Sequence, residues 1–138
     1  MWVISLFKVK RVMGGISFDI NFADKINVIK GASGTGKTFL FNMLSSYCSS
    51  NKISYAFIDY KFLASGDEDL IFPHCLNKEL IILDNADLYL TPELFDKIRN
   101  LNATVILSKK STFGLNMDDA HLYTIDYINT SLLTRRLC

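Results

Sequence analysis

One short run of residues in this chain has the composition and spacing needed to hold a polyanion. Residues 31–38 match the pattern GxxxxGK[ST] at every required position. The run consists of Gly31, Ala32, Ser33, Gly34, Thr35, Gly36, Lys37 and Thr38. Glycines let the backbone curl so that successive N–H groups point inward, and the ammonium of Lys37 adds a full positive charge. These residues therefore predict the binding of a polyphosphate.

Two oxygen-bearing side chains could hold a divalent cation beside such a phosphate chain. Thr38 closes the glycine-rich run, and Asp84 ends the apolar segment of residues 79–84. A hydroxyl and a carboxylate are suitable oxygen ligands for Mg²⁺, directly or through water, when the phosphates supply further oxygens. We therefore expect Mg²⁺ as a cofactor, with Thr38 and Asp84 as its protein ligands.

The elements around the glycine-rich run suit this role. Residues 25–30 predict a strand immediately before it, and an apolar stripe predicts a helix that begins at about Lys37. The stripe comprises Leu40, Met43, Leu44, Tyr47 and Cys48. Because a helix N-terminus presents free N–H groups and a favourable dipole to an anion, the helix should reinforce the phosphate site.

Strands and helices alternate through the rest of the chain. A β-hairpin is predicted over residues 2–22, with its turn at Gly14 and Gly15. Four further core strands are predicted at residues 53–58, 80–83, 103–107 and 121–127. Helices are predicted to begin at Thr91, ahead of a proline, and near residues 67–72. This alternation favours a parallel sheet with helices on its faces.

Length and composition fit one domain, with a hairpin at residues 1–22 and a core at residues 23–138. The chain has 138 residues, of which 49% are hydrophobic and 21% charged. A formal net charge of +1 does not indicate a nucleic-acid or membrane partner. The apolar residues 1–7 are too few for a signal peptide or a membrane span. Three cysteines without CxxC spacing favour a reducing, cytoplasmic compartment.

Taken together, these motifs resemble those of P-loop NTPases. Residues 31–38 look like the Walker A motif and residues 79–84 like the Walker B motif, with one predicted strand between them. The pattern is most similar to the ABC/SMC-type ATPase core, because a hairpin precedes the Walker A strand and residues 83–110 continue as in that core. The resemblance implies an α/β fold of three layers, α/β/α, with a mainly parallel five-stranded core sheet and an N-terminal β-hairpin.

The resemblance also implies an activity, and the chain departs from the family where that activity is decided. ATP would be bound through residues 31–38 with Mg²⁺ and hydrolysed at Lys37, Asp84 and Asn85. In these families a glutamate usually follows the Walker B aspartate and polarises the attacking water, but Asn85 stands there. Ser108 and Lys109 stand where ABC-type proteins have a histidine, and the chain contains no glutamine. These departures affect hydrolysis more than nucleotide binding.

Several charged residues could replace the missing group. Asp87 is the nearest remaining acid, and Glu68 or Asp69 could approach from a segment with no clear pattern. A partner could also supply an arginine in trans, and Arg135 and Arg136 are candidates for donation to a neighbouring molecule. A protein partner or self-association is therefore expected.

Three functions follow from the sequence. The first is an ATP-binding protein that hydrolyses ATP slowly or only with a partner, and the second is a non-catalytic nucleotide-dependent switch, which Asn85 favours over a fast enzyme. The third is a small-molecule kinase in which Asp59, at the end of a predicted strand, accepts the substrate's proton. The sequence lacks a guanine-selective NKxD motif, which favours adenine.

Overall fold

The computed structural model describes residues 7–30, 36–59, 61–62, 68–110 and 120–137. Within these ranges the chain forms eight β strands and three α helices. The strands are β1 (Phe7–Met13), β2 (Ile16–Phe22), β3 (Ile26–Lys30), β4 (Tyr55–Ile58), β5 (Leu80–Leu83), β6 (Thr104–Lys109), β7 (Ala120–Ile128) and β8 (Ser131–Arg136). The helices are α1 (Lys37–Ser50), α2 (Ile71–Cys75) and α3 (Pro92–Arg99), with 3-10 turns at Glu68–Leu70 and Ala86–Leu88.

All eight strands belong to one mixed sheet with the order β1-β2-β8-β7-β3-β6-β5-β4. The strands β4, β5, β6, β3 and β7 run parallel to one another. The pairs β1–β2 and β7–β8 are antiparallel, and β8 also pairs in parallel with β2. The N-terminal hairpin is therefore joined to the other strands through β8.

The expected three-layer α/β/α fold, with a mainly parallel five-stranded core sheet and an N-terminal β-hairpin, is wrong. The structure has a single curled sheet of eight strands in mixed orientation, with three helices among the described residues. The physical reason lies in β8, for which no strand was predicted. It is hydrogen-bonded to β2 on one side and to β7 on the other, so the hairpin and the remaining strands become one sheet.

The predicted starts of two helices agree with the structure, although the predicted fold class does not. The helix predicted from Lys37 begins there, and Thr91 caps α3 by accepting a hydrogen bond from the Leu94 N–H at 3.1 Å. The short helix predicted near residues 67–72 is a 3-10 turn that leads into α2. Part of the first predicted strand, residues 2–6, lies outside the described residues.

Apolar side chains are buried on both faces of the sheet. Along β5, Leu80 and Ile82 join a cluster with the buried face of α1, whereas Ile81 and Leu83 join a second cluster with α2 and α3. Alternate residues of a strand point to opposite faces, so a continuous apolar run buries both. None of the described helices is long and apolar enough to cross a bilayer.

Candidate functional site

The glycine-rich run connects β3 to α1, and only its last residues are described. Gly31, Ala32, Ser33, Gly34 and Thr35 lie outside the described residues. Gly36 is the N-cap of α1, and its carbonyl accepts a hydrogen bond from the Leu40 N–H at 3.0 Å. Lys37 and Thr38 form the first turn of the helix.

Gly36 could not be replaced by a larger residue without strain. Its backbone is left-handed, with φ of 93°, a conformation that glycine adopts without steric cost. An added Cβ would lie 3.0 Å from Leu132 Cδ1 and 3.4 Å from Tyr127 Cδ2. Both the backbone and the close approach of β7 and β8 therefore explain why the motif has glycine here.

The described residues of the motif share one cleft with the candidate residues at the end of β5. The cleft has a volume of about 390 Å³. Its lining residues are Gly36, Lys37, Thr38, Phe39, Asp84, Asn85 and Tyr127. Because β3 and β5 run parallel on either side of β6, their C-terminal ends meet at the same edge of the sheet. Residues far apart in sequence thus face the same space.

A hydrogen-bonded network positions Asp84. Ser108, fully buried in β6, donates its hydroxyl to Asp84 Oδ1 at 2.8 Å and accepts the Asn85 N–H at 2.9 Å. The buried Tyr89 donates its hydroxyl to the main-chain oxygen of Asp84 at 3.0 Å. Burial, together with the nearby charge of Asp84, raises the pKa of Tyr89 far above its ordinary value, so this tyrosine remains a donor.

Asn85 has a backbone that suits its residue type. Its φ of 50° and ψ of 51° are left-handed, a region that asparagine tolerates better than most residues. Asn85 is one of the residues that line the cleft. A carboxamide donates and accepts hydrogen bonds but does not take up a proton near neutral pH. Asn85 can therefore orient an oxygen atom or a water molecule, but it is unsuited to act as a general base.

Asp87, the nearest acid in sequence apart from Asp84, makes a hydrogen bond within the protein itself. Asp87 Oδ1 accepts a hydrogen bond from the Lys110 N–H at 2.8 Å. Its charge also acts on the buried Lys109, whose pKa is lowered by burial and raised in part by Asp87. Asp87 thus anchors the turn after β5 to the end of β6.

The structure also describes the surroundings of two other candidate acids, Asp59 and Asp69. Asp59 Oδ1 accepts the Phe62 N–H at 3.0 Å, which is the contact of a capping residue. Asp69 lines a different cleft, together with Tyr89 and Lys97. The side chain of Glu68 lies outside the described residues.

The two C-terminal arginines are tied to neighbouring acids. Arg135 Nε lies 3.6 Å from Asp126 Oδ2, and Arg136 Nε donates to Asp24 Oδ2 at 3.0 Å. In the register of β7 and β8, Arg135 lies opposite Thr124 and Arg136 opposite Tyr123, and neither is among the described residues that line the cleft. Donation of either arginine to a neighbouring molecule stays a prediction.

The donor set of the cleft fits a magnesium–phosphate complex. Among the described residues, no group of three or more His, Cys, Asp or Glu side chains could hold a metal ion by itself. A hydroxyl from Thr38 and a carboxylate from Asp84 face one cleft, and Mg²⁺ bound to phosphates commonly takes its other ligands from phosphate oxygens and water. These two residues would hold the ion, and its positive charge would offset the negative charge of the phosphates.

Sequence reasoning found five of the residues that line the cleft and missed three that build it. In the sequence, Ser108 stands out only as a departure from a family pattern, and no pattern assigns Tyr127 or Phe39 to the site. No local pattern marks a serine in a buried strand as the partner of an aspartate in the next strand. No protein-family model and no curated protein matches this chain, so the assignment of the cleft depends on its residues and geometry.

Proposed function

We propose that this protein binds a magnesium–nucleoside triphosphate, with ATP as the preferred ligand, and hydrolyses it slowly or only with a partner. The observation that carries the proposal is the single cleft shared by Gly36, Lys37, Thr38 and Asp84. These residues supply a helix N-terminus, an ammonium, a hydroxyl and a carboxylate to one space. The match of residues 31–38 to the Walker A pattern supports the same conclusion.

Each of these groups has a part in holding the triphosphate. The N-terminus of α1 and the ammonium of Lys37 attract the phosphate oxygens. Thr38 and Asp84 hold Mg²⁺, and Ser108 keeps the Asp84 carboxylate in place through its hydrogen bond to Oδ1. The P-loop NTPases provide the analogy for this arrangement, and here it applies to the site rather than to the fold.

Slow hydrolysis follows from the residue beside Asp84. A water molecule attacking the terminal phosphate must be oriented and deprotonated, and Asn85 can only orient it. Asp87, the nearest acid in sequence apart from Asp84, already accepts a hydrogen bond from the Lys110 N–H. A partner that contributes the missing group would raise the rate, and a reducing, cytoplasmic location is consistent with the buried free thiols of Cys48 and Cys75.

A nucleotide-dependent switch is the second candidate function. Its support is the chain of hydrogen bonds from Asp84 through Ser108 to Asn85, which links the proposed metal ligand to β6 and to the turn after β5. A shift of Asp84 on binding Mg²⁺ would be transmitted to both elements. The kinase alternative has less support, because the Asp59 carboxylate serves as a cap.

Substitution of Asn85 tests the proposed origin of slow hydrolysis. Asn85→Glu should raise the steady-state rate of ATP hydrolysis by about 100-fold or more, since a general base contributes about 10²- to 10⁴-fold. Asn85→Gln is the matched control: it has the same length and the same left-handed backbone strain, but no base. It should leave the rate near that of the unaltered protein.

The hydrolysis rates of the two variants show whether Asn85 lies beside the attacked phosphate. Equal rates for Asn85→Glu and Asn85→Gln would contradict the placement of Asn85 beside the attacked phosphate. Fast hydrolysis by the unaltered protein alone would contradict the proposal of a deficient site. A parallel assay for phosphorylated small molecules would detect kinase activity, which is not expected.

A further inference from the structure

The wall of the cleft beside α1 is aromatic, and this feature has no part in binding phosphate. Phe39 and Tyr127 line the cleft together with the candidate phosphate and metal ligands. Their rings meet edge to face, with centroids 5.7 Å apart and planes at 81°. Phe39 is 47% exposed and Tyr127 is 40% exposed, so two large rings remain open to solvent at the edge of the cleft.

We propose that Tyr127, supported by Phe39, is the stacking platform for the nucleobase of the bound nucleotide. This inference rests on the proposed function, and it states which part of the ligand the aromatic wall recognises. An edge-to-face pair leaves ring faces uncovered, and a flat heterocycle can stack on such a face. A ligand without a base, such as inorganic tripolyphosphate, would gain nothing from it.

The position of Tyr127 relative to the phosphate loop supports the assignment. Its Cβ and Cδ2 lie within van der Waals distance of the space beside the Gly36 Cα, so the ring begins where the glycine-rich run ends. Phe39 directly follows Thr38 in the first turn of α1. A base connected through its ribose to phosphates at Lys37 would thus meet these rings beside the loop.

Stacking also predicts the kind of base selected. It depends on the area of the ring face, so purine triphosphates should bind more tightly than pyrimidine triphosphates. Discrimination between ATP and GTP should be weak from stacking alone.

Binding of two ligands by matched variants tests the platform. Calorimetry would compare Mg–ATP with Mg–tripolyphosphate for the full chain, for Tyr127→Leu and for Tyr127→Phe. Tyr127→Leu should weaken Mg–ATP binding about tenfold and leave Mg–tripolyphosphate within about twofold, because base–aromatic stacking contributes at this level. Tyr127→Phe keeps the ring and should bind both ligands as the unaltered protein does. Phe39→Leu, on the helix side, should show the same ligand-selective pattern to a smaller degree.

Other outcomes would overturn the assignment in distinguishable ways. Equal losses for both ligands in Tyr127→Leu would mean that the ring only packs against Gly36. Unchanged Mg–ATP binding in both Leu variants would place the base elsewhere, while the proposed function stood. If the unaltered protein bound neither ligand, the platform and the proposed function would fail together. Circular dichroism and thermal unfolding of each variant would establish that it is folded.

Discussion

Ser108 is the residue on which the geometry of the proposed metal ligand depends. It is fully buried, and its hydroxyl both donates to Asp84 and accepts from the Asn85 N–H. Removing it would leave a backbone donor and a carboxylate oxygen without their partner in a partly buried place. Ser45 offers a contrast, because its buried hydroxyl oxygen has no hydrogen-bond partner among the described residues.

Alanine substitution of these two serines should therefore change the free energy of unfolding by different amounts. Ser108→Ala should lower the free energy of unfolding by about 1–3 kcal/mol, the cost of leaving buried groups unpaired. Ser45→Ala removes a buried, unsatisfied hydroxyl, so it should be neutral or slightly stabilising. Urea unfolding of both variants would measure the difference. Equal changes in the free energy of unfolding at the two positions would show that the hydrogen bonds of Ser108 do not stabilise the folded state.

At the scale of elements, a polar cluster holds β8 against the start of β3. The Asp24 carboxylate accepts hydrogen bonds from the Tyr123 hydroxyl at 2.6 Å and from Arg136 Nε at 3.0 Å. Arg136 Nη2 lies 2.6 Å from His121 Nδ1, and His121 Nε2 lies 3.4 Å from Asp24 Oδ1. An arginine can only donate, so Nδ1 accepts and Nε2 carries the hydrogen toward Asp24. The cluster joins β7 and β8 to the segment before β3.

The ionised form of Asp24 is the one that this cluster stabilises. Burial opposes its charge, but the hydrogen bonds from Tyr123 and Arg136 and the positive charge of Arg136 outweigh burial and lower the pKa of Asp24. Since the pKa of Asp24 is lower in the folded than in the unfolded chain, its stabilising contribution is complete above the unfolded pKa of about 3.9. The contribution is lost as the pH falls through the folded pKa.

Asp24→Asn should reproduce this loss at neutral pH. We expect the free energy of unfolding at pH 7 to fall by about 2 kcal/mol, in the range of hydrogen bonds to charged groups. The difference from the unaltered protein should shrink as the pH is lowered below about 4, because Asp24 then becomes protonated in both states. Urea unfolding at a series of pH values would measure it.

Asp126→Asn is the matched control for Asp24→Asn. Asp126 lies on β7 and pairs with Arg135 at 3.6 Å, but its side chain is 32% exposed and that of Arg135 is 64% exposed. Exposed pairs contribute little, so the control should change stability by less than about 1 kcal/mol. A pH-independent difference for Asp24→Asn would contradict the account of the cluster.

At the scale of the whole molecule, the sequence predicted the local units and not the sheet that joins them. The helix at Lys37, the cap at Thr91 and the apolar strand β5 each carry a signal within a few residues. The strand β8 has only a weak local signal, because the two-residue turn before it lacks the usual glycine. That turn consists of Asn129 and Thr130, with φ of 51° and 63°. Its parallel pairing with β2 joins segments at opposite ends of the chain, and periodicity contains no information about such partners.

The same division applies to the candidate site. A spaced motif predicted Lys37 and Thr38, because phosphate chemistry requires fixed residue types at fixed intervals. Asp84 was predicted from the apolar run that it ends, residues 79–84. The aromatic wall and the bonds of Ser108 arise from the arrangement of β6 and β7 beside α1. These contacts depend on which strands are neighbours in the folded sheet. The predicted fold class was wrong, so it could not predict them.

Calorimetric titration of the full chain with Mg–ATP is the most direct test of the central claim, and it is best made with two lysine variants. Lys37→Met keeps most of the side-chain stem and removes the charge, whereas Lys52→Met removes an exposed charge beyond the other end of α1. The unaltered protein and Lys52→Met should bind one nucleotide with equal affinity. Lys37→Met should bind at least about 10- to 100-fold more weakly, the effect of losing a hydrogen bond to a charged group. An unaltered protein that binds no nucleotide, or a Lys37→Met variant that binds as tightly as the unaltered protein, would contradict the account.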